Sequence, residues 1–181
     1  WFDRSRYDNY SAGGRLLSRF KLSDGHILRS AMEFQRDNSL QKEYNAKNRM
    51  GEVIVPGWGD QVEYRADNIS FAAEDFISPL SWLGITAGVG INGYVPQLAE
   101  DAPVQDAAWE IDPQLSTSVY LNDNHSFFLS AARKTRFPRL KELYSSHAGG
   151  NPELSAENSI NLDAGWKGNL TERTALDISL F

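Results

Sequence analysis

The sequence predicts an all-β protein: an antiparallel up-and-down sheet of the transmembrane β-barrel kind, holding about eight strands of a larger barrel. Three observations carry that expectation. Apolar and polar residues alternate at period two in eight separate segments. The connections between those segments are short and long in turn. Mean hydropathy is −0.47, and no run approaches the ~18 apolar residues of a membrane helix, as expected of strands that are apolar on alternate residues only.

Taken in order, residues 1–10 are polar and aromatic without a period and read as the end of a loop. From Ser11 the residues Leu16, Phe20 and Leu22 alternate with Arg15, Arg19 and Lys21. Asp24-Gly25 is a tight-turn signal. The return strand, 26–36, sets Leu28, Met32 and Phe34 against Arg29, Glu33 and Gln35; good helix formers crowd it, but the turn before it favours a strand. Residues 37–67 read as a long polar loop. Strand 69–77 follows, Ser78-Pro79-Leu80-Ser81 turns the chain, and 82–94 is the clearest strand. There Leu83, Ile85, Ala87, Val89 and Ile91 oppose Gly84, Thr86, Gly88, Gly90 and Asn92. After a second long loop, 95–109, Leu115, Val119 and Leu121 share one face. Asn122-Asp123-Asn124 turns, and Phe127, Leu129 and Ala131 lead to Pro138. Beyond a third long connection, 139–158, Ile160, Leu162, Ala164 and Trp166 alternate with Asn161, Asp163 and Gly165. A turn at Gly168-Asn169 precedes Leu176, Ile178 and Leu180.

In an up-and-down meander, alternate connections lie at the same end. All the short turns therefore gather on one side and all the long loops on the other, the asymmetry of outer-membrane barrels. Greek-key crossings in a sandwich give less reason for strict alternation. One strand with an apolar face fits either architecture, so a soluble extracellular β-sandwich that binds carbohydrate stays open, as does a porin-like barrel.

Composition narrows the function. A net charge of −6 argues against binding a phosphate backbone. Zero cysteines remove disulfides and thiolate metal sites. Aromatics at 12% with five Trp suit interfacial girdles or a carbohydrate surface. G-x-S-x-G and H-E-x-x-H do not occur, and His26, His125 and His147 lack ligand-like spacing. No catalytic residue, metal site or cofactor is expected. The chain starts at Trp1 without initiator methionine or leader, which predicts a piece of a longer protein.

The most specific stretch is 131–166. Pro138 closes a strand and suits the first turn of a helix. Leu140, Leu143 and Tyr144 then share one helical face, and Gly149, Gly150 and Asn151-Pro152 end the turn. The strings TRFPRLKELY, GNPELSAENS and LDAGW resemble the barrel of TonB-dependent outer-membrane receptors, on Arg136, Phe137, Pro138, Leu140, Glu142, Leu143, Tyr144, Gly150, Asn151, Pro152, Leu154, Glu157, Ser159 and Gly165. Ala156 stands where the family usually has proline, and Asp163 where it usually has glutamate.

The resemblance implies that 1–181 is part of the barrel domain, with the plug and the TonB-gripped segment outside it, in the outer membrane of a Gram-negative bacterium. It implies outer-membrane lipid, TonB and an extracellular nutrient as partners, and TonB-energised uptake of a scarce nutrient such as a ferric siderophore, haem, cobalamin or glycan. Trp58, Tyr64, Trp109, Arg139, Tyr144 and His147 in the long loops are the candidates for ligand contact, being types that anchor ligands. Arg136-Phe137-Pro138 reads as architectural. Asp163 and Lys167 are expected to face inward as a wet pair.

Overall fold

The computed structural model describes residues 4–47, 53–145 and 150–181. It is one antiparallel sheet with a short helix on its inner side. The elements are β1 Arg4–Ser23, β2 His26–Lys47, β3 Val53–Trp58, β4 Val62–Leu80, β5 Leu83–Ala99, β6 Ala108–Asn122, β7 His125–Arg136, α1 Leu140–Tyr144, β8 Glu157–Thr171 and β9 Thr174–Leu180. The sheet order is β1-β2-β4-β5-β6-β7-β8-β9, and β3 pairs with β2 beside this path. The expected eight-strand meander is therefore present, with β3 as an added ninth strand. β1 and β9 each pair on one side only, so the sheet is open.

Register makes the two faces explicit. Leu16, Met32, Phe71, Ile91 and Ile111 stand opposite one another across β1, β2, β4, β5 and β6. One residue along, the row reads Arg15, Glu33, Ser70, Asn92 and Glu110. Lower down, Leu83, Val119, Phe127, Trp166 and Ile178 form another apolar row. The sets Leu83/Ile85/Val89/Ile91 and Leu115/Val119 share one face, as the alternation predicts. Leu115 is 56% and Leu162 64% exposed; in a sandwich both would be core. These rows form an outward belt that suits lipid, with the polar rows on the inner side.

The strands run well past that belt. β1, β2 and β4 have 20, 22 and 19 residues, against the ~9–11 needed to cross a bilayer. Three expectations are corrected here. Arg4 to Tyr10 is strand, paired with β2 from Tyr44 to Asn38. Much of 37–67 is a continued hairpin with β3 at its side, and 95–109 is shortened from both ends. Above the belt neither face is uniformly apolar, and polar residues such as Asn38, Ser39, Gln41 and Asp67 are buried within the ladder itself, so the hydrophobic period vanishes while the ladder continues. Polar pairs hold it: Arg36 donates to both Asp67 oxygens at 2.7 and 2.8 Å, and Ser11 and Asn68 both donate to Asp37.

The turns at Asp24-Gly25 and Asp123-Asn124 are where the sequence places them. Two others shift. Pro79 and Leu80 end β4 in an irregular register between Ile77 and Leu80, and the chain turns at Ser81-Trp82; a proline breaks the ladder without having to be the turn. Gly168 and Asn169 lie inside β8, which turns at Glu172-Arg173. Gly165 is needed for close approach, since a Cβ there would sit 2.5 Å from the Ile178 carbonyl oxygen.

A motif turn folded onto the inner wall

Among the described residues the buried apolar core lies inside the sheet, built by the stretch after β7. Pro138 ends the strand, and Leu140, Leu143 and Tyr144 bury their side chains as the helical face predicts. Leu143 is fully buried. The Tyr144 ring stacks on Tyr64 at 4.6 Å and an interplanar angle of 6°, and Phe137 stacks on Tyr94 at 5.8 Å. Ala66, Val62, Ala99 and Ala102 complete the cluster. On the far side the Tyr7 hydroxyl meets Ser145 Oγ at 3.0 Å, and Lys141 Nζ lies 5.4 Å from the centre of the Tyr7 ring. The sheet thus curls far enough for a helix leaving β7 to touch β1.

Arg136 fastens this turn. Its guanidinium donates to both oxygens of Glu142, at 3.1 and 3.0 Å, and to both of Glu157, at 3.0 and 3.2 Å. Glu142 also accepts the Arg139 backbone N–H at 2.9 Å, reaching back over the first helical turn. That backbone bond, with Arg136 beside it, holds the Glu142 carboxyl below the usual carboxylate range. Hydrogen bonds from Arg136 do the same for Glu157, and the two carboxylates raise Arg136 further above its ordinary value. Gly150 donates to the Ser145 carbonyl at 2.6 Å and Asn151 to the Glu142 carbonyl at 2.9 Å. A Cβ on Gly150 would lie 2.6 Å from the Ser145 nitrogen and 2.9 Å from the Leu143 oxygen. Asn151 Oδ1 accepts the Glu153 N–H, and Pro152 sits in the same turn.

Between α1 and the inner wall is a polar cavity of about 420 Å³. Asn9, Ser11, Gln35, Asp37, Asn68 and Tyr94 line the wall side, and Phe137, Arg139 and Lys141 the roof. Asp37 accepts from Ser11 at 2.5 Å, Gln35 at 2.7 Å and Asn68 at 2.7 Å. A second trough of about 570 Å³ lies further along the inner face, with Arg19, Arg29, Glu74, Gln114 and Lys134 on its walls and Ala31, Ala72 and Gly90 on its floor.

The family model for the TonB dependent receptor-like β-barrel matches residues 2–181. The chain belongs to that family. The fold agrees: the copper transporter OprC superposes with a TM-score of 0.71 at 15% identity, over 91% of this chain and 28% of OprC. The chain spans little more than a quarter of that protein's length, and at this identity the likeness concerns the fold. No curated protein sequence matches. TonB-dependent receptor barrels lie in the outer membrane of Gram-negative bacteria, and they are receptors and transporters, not enzymes.

Within this receptor wall the expected contact residues separate. Tyr64 and Tyr144 are buried against each other, and Tyr64 donates to Asp101 at 2.5 Å; burial, and then Asp101, push its hydroxyl pKa up. Arg139 is exposed at the start of α1 and lines the polar cavity. Trp58 is exposed on β3, edge-on to Tyr44 at 5.6 Å. Trp109 shares the outward apolar face with Ile91 and Ile111. His147 and Gly149 lie outside the described residues. Asp163 and Lys167 do not pair: Asp163 accepts from Ser130 at 3.1 Å and Lys167 pairs with Asp177 at 3.3 Å. Asn9, Gln35, Asp37 and Asn68 were missed. The signal for them was parity, since each continues the inner register of its strand.

Proposed function

We propose that this chain is wall and vestibule of a transporter that imports a scarce nutrient, energised through TonB acting on a plug domain. One observation carries the reading: a family barrel wall whose belt faces outward and whose signature turn roofs a polar inner cavity at the end where the long connections emerge. Ligand arriving there meets Trp58, Arg139 and Lys141 first, then the Asn9–Asp37–Asn68 wall, while the stacked Tyr64 and Tyr144 hold the roof to the wall. Trp109 serves the outer interface. The nutrient classes to test are ferric siderophore, haem, cobalamin, glycan and copper.

The test is uptake by cells that depend on the full-length receptor, with TonB intact or inactivated. Import of one class that requires TonB, and that falls when Asn68→Ala and Arg139→Ala are introduced, is expected. Import that persists without TonB would replace this reading with a passive, porin-like barrel.

A further inference from the structure

The β6–β7 ladder stops halfway. Its pairs run from Asn122↔His125 to Gln114↔Ala132 and go no further. Both strands continue above that point with their other neighbours, β6 pairing β5 up to Ala108 and β7 pairing β8 up to Arg136. Pro113 stands at the point of arrest, and a proline has no N–H to give a neighbour. Side chains bridge the gap instead. Arg133 donates to the Ile111 carbonyl at 2.5 Å and to Glu110 at 2.6 Å. Asp112 accepts from the Thr135 backbone N–H at 3.2 Å and from the Thr135 hydroxyl at 2.8 Å. Thr135 in turn reaches Asn158 on β8 at 2.7 Å.

A ladder of main-chain bonds opens only when the strand unfolds. A clasp of side chains opens by rotamer changes. The upper part of β7 leads directly through Phe137 and Pro138 into α1, the roof of the polar cavity. We propose that this seam is a hinge: the clasp of Arg133 and Thr135 on Glu110, Ile111 and Asp112 ties the top of β7, together with the part of β8 laddered to it, to β6, and its release lets that unit and α1 swing away from the cavity to admit ligand. Admission of ligand rests on the uptake reading above; the hinge itself does not.

Two measurements on the full-length receptor test it. In detergent micelles, Arg133→Gln should raise amide exchange in 133–145 about tenfold, the order expected for losing charge-assisted hydrogen bonds, and leave 114–122 and 125–131 unchanged. No change in 133–145, or an equal rise across the sheet, overturns the hinge. In cells, Asp112→Cys with Thr135→Cys joins side chains that already touch, in a stretch with no cysteine of its own. Once mass measurement confirms the cross-link, uptake should stop, and reduction should restore it. Uptake at the same rate in both redox states overturns the swinging step. If no cargo is imported even by the unaltered receptor, the uptake reading fails and the exchange result still decides the hinge.

Discussion

The belt and the extension above it are built from the same strands and held together by different physics. Within the belt, apolar residues recur on alternate positions and the rows line up from β1 to β9. Above it, Arg36–Asp67, Asp37 with its three donors, and Arg136 with two carboxylates replace that pattern. The belt is specified by what surrounds it, and the extension by what its own side chains find.

The largest effect should come at the dry core of the extension. Leu143→Ala, at a fully buried position, should cost about 2–5 kcal/mol of local stability, seen as exposure of α1 to limited proteolysis while the belt stays folded. Loss of the belt as well would show that the regions are not separable. Next, Val89→Arg should cost about 2–4 kcal/mol if Val89 lies near the bilayer midplane, measured by reversible folding into lipid vesicles. Gly88→Arg points inward, where a Cβ already meets Gln114 and Glu74, and should answer to crowding and not to bilayer thickness. Equal sensitivity of both variants to thickness would contradict the register.

A smaller loss is expected for Gly150→Ala, which forces a methyl against backbone at 2.6 Å and should cost about 1–3 kcal/mol, read from hydrogen exchange in the motif turn. Smallest is the response to acid. Glu142 and Glu157 have folded pKa values below their ordinary ones, so their contribution is present above the ordinary carboxylate value and is lost as pH falls through the depressed values. The motif turn should therefore loosen below about pH 4, with the belt unaffected, and carboxylate NMR should show both groups titrating late. Because the side chains are exposed, added salt should shrink the effect.

This contrast also explains what was legible in the sequence. Period two marks a strand only where the two faces meet different media, so the belt was readable from Leu83 to Ile91 and from Leu115 to Leu121. Arg4 to Tyr10 and the upper parts of β2 and β4 have no lipid-facing side and carry polar residues on both faces, several of them buried, and looked like loop. Glycine after aspartate at 24–25 named its turn, whereas Pro79 marked only a broken ladder. The motif turn was legible as a helix with a buried face, but not the wall it docks on. Nothing local in Tyr64 or Tyr94 says that a helix from β7 will stack there, and the cavity residues come from strands far apart in the chain.

That docking has a consequence for the order of assembly. The contact between Tyr7 and Ser145 joins residues 138 apart in sequence, and a helix of five residues has no stability on its own. The hairpins of the meander close over short spans and need no such meeting. Contacts of long separation come late because the chain entropy of closing them must be met first. Burial of Tyr144 should thus be among the last events as the chain matures, after the sheet from β1 to β7 has formed. The fluorescence or protection of that one ring would then date the completion of the wall, and a chain stalled with a missing or misregistered early strand would be marked by a signature turn left in water.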